Sequence, residues 1–380
     1  MNSHKHSRHV GIAIGSPRTK VCSVGAFARA EGAGFEAAGW KVNFIEPDEG
    51  TWRYPMLPPG GAPPYILIHM PSLFERRKPW NALVTMAALR VRAPRSRLLL
   101  NIHEYSEAPV HWRMRAFMAA QLAHGLLVNT QADEGFIASW GKPFLRYPLG
   151  PTLWNEALFS LPTATTLESE RDKARARLAS HVVGKFISEG SGPLLVHGGM
   201  ITAGKGIEFL ERWCGATSGR AAPFRFLLMG GLGPKERDRQ FADERITKFR
   251  AALGNRFFWL PEAPDELYKD ILIAADAVVL PFEQGLSERR STFLSACSCG
   301  AAVWATEGQY TASLRLPPEA AWLTPAGDEP AAAASLEELL RELSSGPTTT
   351  ERRLAGVSWA RERGWTYRVQ ALEKFLSNLC

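Results

Sequence analysis

Short apolar runs punctuate the chain, with longer helix-like stretches between them. In the first half they fall at residues 10–14, 42–46, 65–69, 98–102 and 126–129, and in the second at 194–197, 224–229, 257–260, 277–281 and 302–305. These runs are mostly apolar rather than alternating, as in strands of a parallel sheet covered on both faces. Stretches such as 24–40 and 112–124 read as the helices between them. Strand and helix in alternation predict an α/β fold built on doubly wound parallel sheets. The plan loosens once, over 148–192, where a Pro- and Thr-rich stretch precedes the charged run ESERDKARARLASH. A boundary there gives two Rossmann-like domains, 1–165 and 166–357, facing each other across a cleft.

One segment organises the second half. Residues 277–306, AVVLPFEQGLSERRSTFLSACSCGAAVWAT, read as strand, loop, helix, strand. In open α/β sheets ligands sit beyond the carboxyl ends of the strands, where the next helix turns its unpaired N–H groups towards them. The start of this helix carries Arg289 and Arg290. Two guanidiniums beside a helix N-terminus make a site for a polyanion, and a diphosphate is the natural candidate.

Two other loops at strand ends carry chemistry. The turn HGGMITAGKG places Lys205 after glycines, where it would reach a phosphate as a point charge. A solvated lysine on a surface turn fits the same residues. After LLLNI come His103, Glu104, Tyr105 and Ser106. Imidazole can donate to developing negative charge or exchange protons, and an adjacent carboxylate can fix its tautomer. A helix-capping role fits the pair as well. His69 ends the run YILIH in the same topological position and reads as a structural histidine, while Glu283, before the arginine loop, could bond a ligand hydroxyl. The first turn, GSPRTKVCSVGAFARAEGAG, has no GxGxxG dinucleotide fingerprint.

Composition narrows the class. The chain has 380 residues, 45% hydrophobic and 22% charged, with no apolar run long enough to span a bilayer. The start, MNSHKHSRH, lacks the apolar stretch of a secretory signal, so a cytoplasmic location is expected. Its histidines read as a tail rather than as metal ligands. Five cysteines without a CxxC pair read as reduced thiols. Net charge is +7, and the excess of Lys and Arg lies in the first half. Part of it, Arg76, Arg77, Lys78, Arg90, Arg92, Arg95 and Arg97, surrounds the apolar segment WNALVTMAAL. An amphipathic helix resting on anionic lipid fits this pattern, and so does a buried helix with solvated basic ends. No nucleic-acid motif accompanies the charge.

The loaded motifs together resemble a known family. SERRSTFLSACSCG is similar to the donor-binding loop and helix of retaining GT-B glycosyltransferases of family 4, with Ser295, Ala296 and Gly300 at the helix positions. Ser287 and Ser295 stand where that family has glutamates, and the Arg-Arg pair resembles a bacterial branch of it. HGGMITAGKG resembles the family's Gly-Arg, four residues, Lys-Gly signature, with Lys205 and Gly206 matching and Met200 in place of the Arg. HEYS resembles the same branch. Residues 260–267 resemble the stretch that abuts the nucleotide base, and 358–380 resemble terminal helices that return to the first domain.

The resemblance implies a GT-B fold and sugar transfer from a nucleotide-sugar donor to a glycan or lipid-linked glycan. Lys205, Arg289, Arg290 and Gly199 would hold the donor diphosphate, and Glu283, Ser287, Glu288, Ser291 and Thr292 its sugar or nucleotide. His103 would lie near the transferred sugar, oriented by Glu104. Neither a metal nor a separate cofactor is implied, and the anomeric configuration would be retained. Two other readings stay open: a sugar-nucleotide epimerase on the same fold, and a noncatalytic partner subunit that has kept the fold.

Overall fold

The computed structural model describes residues 8–14, 23–46, 61–69, 81–103, 105–106, 109–217, 219, 224–233, 236–345 and 347–379. It divides into two compact units, Met1–Gly150 with Arg363–Cys380, and Pro151–Glu362.

The first unit is built on β1 (His9–Ile14), β2 (Lys41–Ile45), β3 (Tyr65–His69), β4 (Arg97–Ile102), β5 (Gly125–Val128) and β6 (Phe144–Arg146). Between them run α1 (Ser23–Ala37), α2 (Asn81–Arg92), α3 (Val110–Leu122) and α4 (Gln131–Ile137). The sheet is parallel, in the order β2-β1-β3-β4-β5-β6. Successive side chains leave opposite faces of each strand, and both faces are covered. Ile66, Leu98, Leu100 and Leu126 enter one core, while Leu67, Leu99 and Leu127 enter the other. Burying each such side chain contributes about 1.5–3 kcal/mol. Three neighbouring strands then break into polar residues at their carboxyl ends, at His69, His103 and Asn129.

The second unit starts with α5 (Glu156–Ser160), α6 (Ala164–Leu178) and α7 (Val182–Glu189). Asn155 and Thr163 cap α5 and α6, each side chain accepting from backbone N–H groups of the first turn. The charged run read from the sequence lies in α6, which buries Leu167, Ala174 and Leu178 and leaves most of its charges in water. The sheet follows: β7 (Leu194–Gly198), α8 (Ile207–Thr217), β8 (Arg225–Met229), α9 (Glu236–Leu253), β9 (Phe257–Leu260), α10 (Asp265–Ala274), β10 (Ala277–Leu280), α11 (Ser291–Ser298), β11 (Ala302–Glu307) and β12 (Trp322–Pro325). α12 (Glu329–Ser345) and α13 (Pro347–Arg361) close the unit, and α14 (Trp365–Asn378) belongs to the first one.

The second sheet is also parallel, in the order β12-β11-β10-β7-β8-β9. The chain winds outward from β7 through β8 to β9, then returns to the other side of β7 with β10. The strand order therefore reverses between β7 and β10, and the helices after these two strands lie on opposite faces. A crevice opens at such a point. In the first sheet the reversal falls between β1 and β3.

β6 and β12 are additions to the strands expected from sequence. Each is an edge strand of three or four residues, FLR and WLTP, too short to show a period. α2 shares features of both readings of its segment. Met86 and Leu89 are buried, whereas Val84 and Val91 face solvent, Val91 at 80% exposure. Among the described residues no helix is long and apolar enough to cross a membrane, and Cys214, Cys297 and Cys299 are free and buried.

Candidate active site

The loops after β7 and β10 meet at the point where the second sheet reverses. Gly206, at φ 69°, makes the approach possible, because a Cβ there would stand 1.7 Å from the carbonyl oxygen of Pro281. The loop after β8 joins from the other side. Gly199 donates its N–H to the Met229 carbonyl at 2.9 Å, and a Cβ on Gly230 would stand 1.7 Å from the Gly199 oxygen. Three strand-end loops thus pack backbone against backbone, and the side chains between them have fixed origins.

Two of those side chains are cationic and converge on one ring. The ammonium of Lys205 lies 5.5 Å from the centroid of Phe282, and the guanidinium carbon of Arg290 lies 4.4 Å from it. Phe282 is buried, and its carbonyl accepts from Thr306 Oγ1 at 2.5 Å and from Gly285 N–H at 2.9 Å. The ring is therefore a fixed platform, and each cation gains about 0.5–2 kcal/mol from its π-face.

Arg290 also caps α11. Its N–H donates to Ser287 O at 3.0 Å, and its carbonyl accepts from Phe293 and Leu294. Ser291 N–H turns back to Arg289 O. Among the described residues no acceptor serves the Thr292 amide in this first turn, which leaves it for a ligand. Thr292 stands beside Gly199, whose added Cβ would lie 3.7 Å from Thr292 Oγ1. Glu283 is exposed and faces the lysine loop, its Oε2 3.9 Å from where a Cβ on Gly204 would be. It lines a pocket with Gly206, Pro281, Phe282 and Thr306. Ser287, Glu288, Arg289 and Ser291 are half-buried along the same loop. Ser295 faces elsewhere: it is buried, with its Oγ 3.1 Å from Thr152 Oγ1 and accepting from Leu153 N–H at 3.3 Å.

Beneath Lys205, His197 of β7 donates Nδ1–H to the Val279 carbonyl at 2.8 Å. Burial pushes its pKa down to about 4, opposed by that hydrogen bond and reinforced by the Lys205 charge. A neutral imidazole below the cations adds no positive charge to the site. Tyr268, behind Gly198, is a buried phenol held well above its ordinary value by burial.

His103 belongs to the first unit. It closes β4 with both ring nitrogens engaged, Nε2 3.1 Å from His69 Nδ1 and Nδ1 3.0 Å from Asn129 Nδ2. His69 Nε2 in turn lies 2.7 Å from Glu31 Oε2. Glu104 lies outside the described residues. Glu31, Asn129, His197 and Phe282 are additions to the residues singled out from sequence, and His69, which reads there as structural, joins them. Polar letters closing apolar runs, as in YILIH, LLVN and LLVH, are the signal that marks three of them.

No protein-family model matches the sequence, and no curated protein matches it. Solved structures do match over nearly the whole chain. Sucrose-phosphate synthase from Thermosynechococcus elongatus superposes with a TM-score of 0.66 at 16% identity, covering 98% of this chain and 99% of that one. HepE of Anabaena, in complex with UDP-glucose, gives 0.66 at 15%, covering 97% and 99%. The catalytic domain of starch synthase IV from Arabidopsis thaliana, bound to ADP and acarbose, gives 0.62 at 12%, covering 98% and 99%. The fold is GT-B. At these identities the likeness establishes the GT-B architecture, two parallel six-stranded sheets with flanking helices.

Proposed function

We propose that this GT-B protein is a glycosyltransferase that moves a sugar from a nucleotide-diphosphate sugar to an acceptor. The observation that carries the proposal is the convergence of Lys205 and Arg290 on Phe282 at the reversal point of the second sheet. Neighbours of the same fold include HepE in complex with UDP-glucose, which supports a nucleotide-sugar donor.

The chemistry requires the bond between the anomeric carbon and the β-phosphate oxygen to break, leaving charge on the diphosphate. A bond from an acceptor hydroxyl to the same carbon replaces it, and the hydroxyl proton is released. Cations held on one ring, with the Thr292 amide at the start of α11, would stabilise that charge, the kind of preorganised stabilisation that lowers such a barrier most. Lys205, Arg289 and Arg290 are assigned to the diphosphate, with Gly199 giving its backbone close approach. Glu283, Ser287, Glu288, Ser291 and Thr292 are assigned to the donor sugar and nucleotide. With protein cations in this role the transfer proceeds without a metal.

His103 is assigned to the surroundings of the transferred sugar, and retention of configuration follows the family resemblance. A glycan or lipid-linked glycan of a surface polysaccharide or glycoconjugate is the proposed acceptor. A membrane-bound acceptor is supported by the outer faces of α2 and α3, which pack side by side. Val84 and Val91 on α2, and Val110, Met114, Phe117 and Met118 on α3, are exposed, with Arg90, Arg92 and Arg95 exposed beside them. Apolar stripes flanked by arginine suit the interface of an anionic bilayer.

Incubation with a panel of nucleotide-sugars and acceptor glycans tests the function. Release of nucleoside diphosphate that depends on acceptor supports it. Epimerised donor without acceptor assigns the epimerase instead, and donor binding with no turnover assigns a noncatalytic homologue.

A further inference from the structure

The first unit buries a chain of polar side chains that the diphosphate site does not use. It runs from Glu31 on α1 to His69 at the end of β3, on to His103 after β4, and on to Asn129 after β5. Glu31, His69 and Asn129 are fully enclosed, and His103, at 9%, is the least buried of the four. Glu31 is a carboxylate with no access to water, a placement tolerated only with a compensating charge. Arg368 of α14 supplies it, with its NH2 3.7 Å from Glu31 Oε1 and its guanidinium 3.7 Å from the centroid of Tyr147.

One carbonyl sets the direction of every hydrogen bond in the row. Asn129 Nδ2 lies 3.3 Å from the backbone oxygen of Ile102, so the amide nitrogen, not the amide oxygen, must face that way. The same nitrogen faces His103 Nδ1 at 3.0 Å, so Nδ1 accepts and carries no proton. The His103 proton therefore sits on Nε2 and is donated to His69 Nδ1 at 3.1 Å. His69 Nδ1 accepts, as its 3.4 Å contact from Asn101 Nδ2 also requires. That leaves the His69 proton on Nε2, pointing at Glu31 Oε2 at 2.7 Å. A second proton on either ring would set two N–H groups against each other. The contacts from Asn129 through both rings to Glu31 are mutually consistent in one direction only.

We propose that Glu31, His69 and Asn129 are positioning residues which hold His103 as its Nε2–H tautomer, with the ring plane fixed at the carboxyl end of the sheet. Reading His103 as a residue beside the transferred sugar rests on the glycosyltransferase assignment; the tautomer does not. The ring has both nitrogens held from within the unit, so it meets a ligand in one orientation. A histidine oriented by a buried acid through a second ring nitrogen is a recurrent way of fixing a tautomer. Here a second imidazole is inserted between the two.

Nitrogen-15 spectra of the full-length protein labelled at its nine histidines read the tautomers directly, with His69→Gln and His103→Gln variants supplying the assignments. Both His69 and His103 are expected as Nε2–H. In His69→Gln the amide can accept from His103 and donate to Glu31, so the His103 signal stays as it was and sugar transfer stays within a fewfold of the parent. In His69→Leu the His103 signal moves to a mixture of tautomers and transfer falls at least tenfold, with nucleoside diphosphate affinity unchanged. His103 found as Nδ1–H in the parent protein, or a His103 signal unmoved in His69→Leu, overturns the proposal. Loss of transfer in every sample, with the expected tautomers present, counts against the glycosyltransferase reading alone.

Discussion

Lys205 and Arg290, 85 positions apart by residue number, stand over the same phenylalanine ring, at 5.5 and 4.4 Å from its centroid. Phe282 gives both a common π-face, and the loops that carry them are pinned by backbone contact at Gly206. Replacing the ring tests that arrangement. Phe282→Leu is expected to weaken nucleoside diphosphate binding several-fold, on the order of 1 kcal/mol for two weakened cation–π contacts. Calorimetric titration beside a urea melt measures the binding and stability costs separately.

Gly206→Ala is the backbone counterpart. A methyl at that position meets the Pro281 carbonyl at 1.7 Å with φ at 69°, so the loop after β7 must move away from the loop after β10. A destabilisation of about 1–3 kcal/mol or more is expected. Nucleoside diphosphate affinity should drop at least as far as in Lys205→Ala. Unfolding curves and titrations on the same preparations check both numbers.

His197 supplies a pH dependence with a definite sign. Its pKa in the folded protein is about 4, below its ordinary value of 6.5. Above that ordinary value both folded and unfolded chains hold it neutral, and it costs nothing. As pH falls the unfolded chain takes up the proton first, so stability is lost through the window from about 6.5 to about 4. A shift of this size corresponds to about 3 kcal/mol at the acid end. Urea unfolding at pH 7 and 4.5 should show that loss in the parent protein and a smaller one in His197→Leu.

The outer faces of α2 and α3 are tested on vesicles. Val91→Glu with Met114→Glu puts two carboxylates into the exposed apolar stripes, at positions 80% and 63% open to solvent. Flotation with anionic vesicles should fall at least tenfold, while the melting temperature stays within about two degrees, since exposed substitutions cost little stability. Equal flotation by parent and variant on anionic and neutral vesicles would remove the membrane contact.

Much of the fold was legible because parallel strands covered on both faces leave an uninterrupted apolar run. YILIH and FFWL were read to the residue at 65–69 and 257–260. The edge strands FLR and WLTP were not, since three or four residues carry no period. Lys205, Arg289 and Arg290 were visible as charges after strand ends. The ring that gathers two of them was not, because an aromatic in PFE reads as one more core residue. His69 read as structural for a similar reason: nothing in YILIH shows that Glu31, in a helix that precedes it, folds onto its far nitrogen. Contacts between residues distant in sequence are set by sheet order, and sheet order is invisible in any single run.

Titration of nucleoside diphosphates, UDP and ADP among them, into the parent protein and into Lys205→Ala and Arg290→Ala is the decisive measurement of the proposed donor site. Binding of at least one of them without added metal is expected. Each variant should lose about 1.5–3 kcal/mol, which is on the order of ten- to a hundredfold in affinity. Binding that is unchanged in both variants, or no binding of any nucleoside diphosphate, would contradict it.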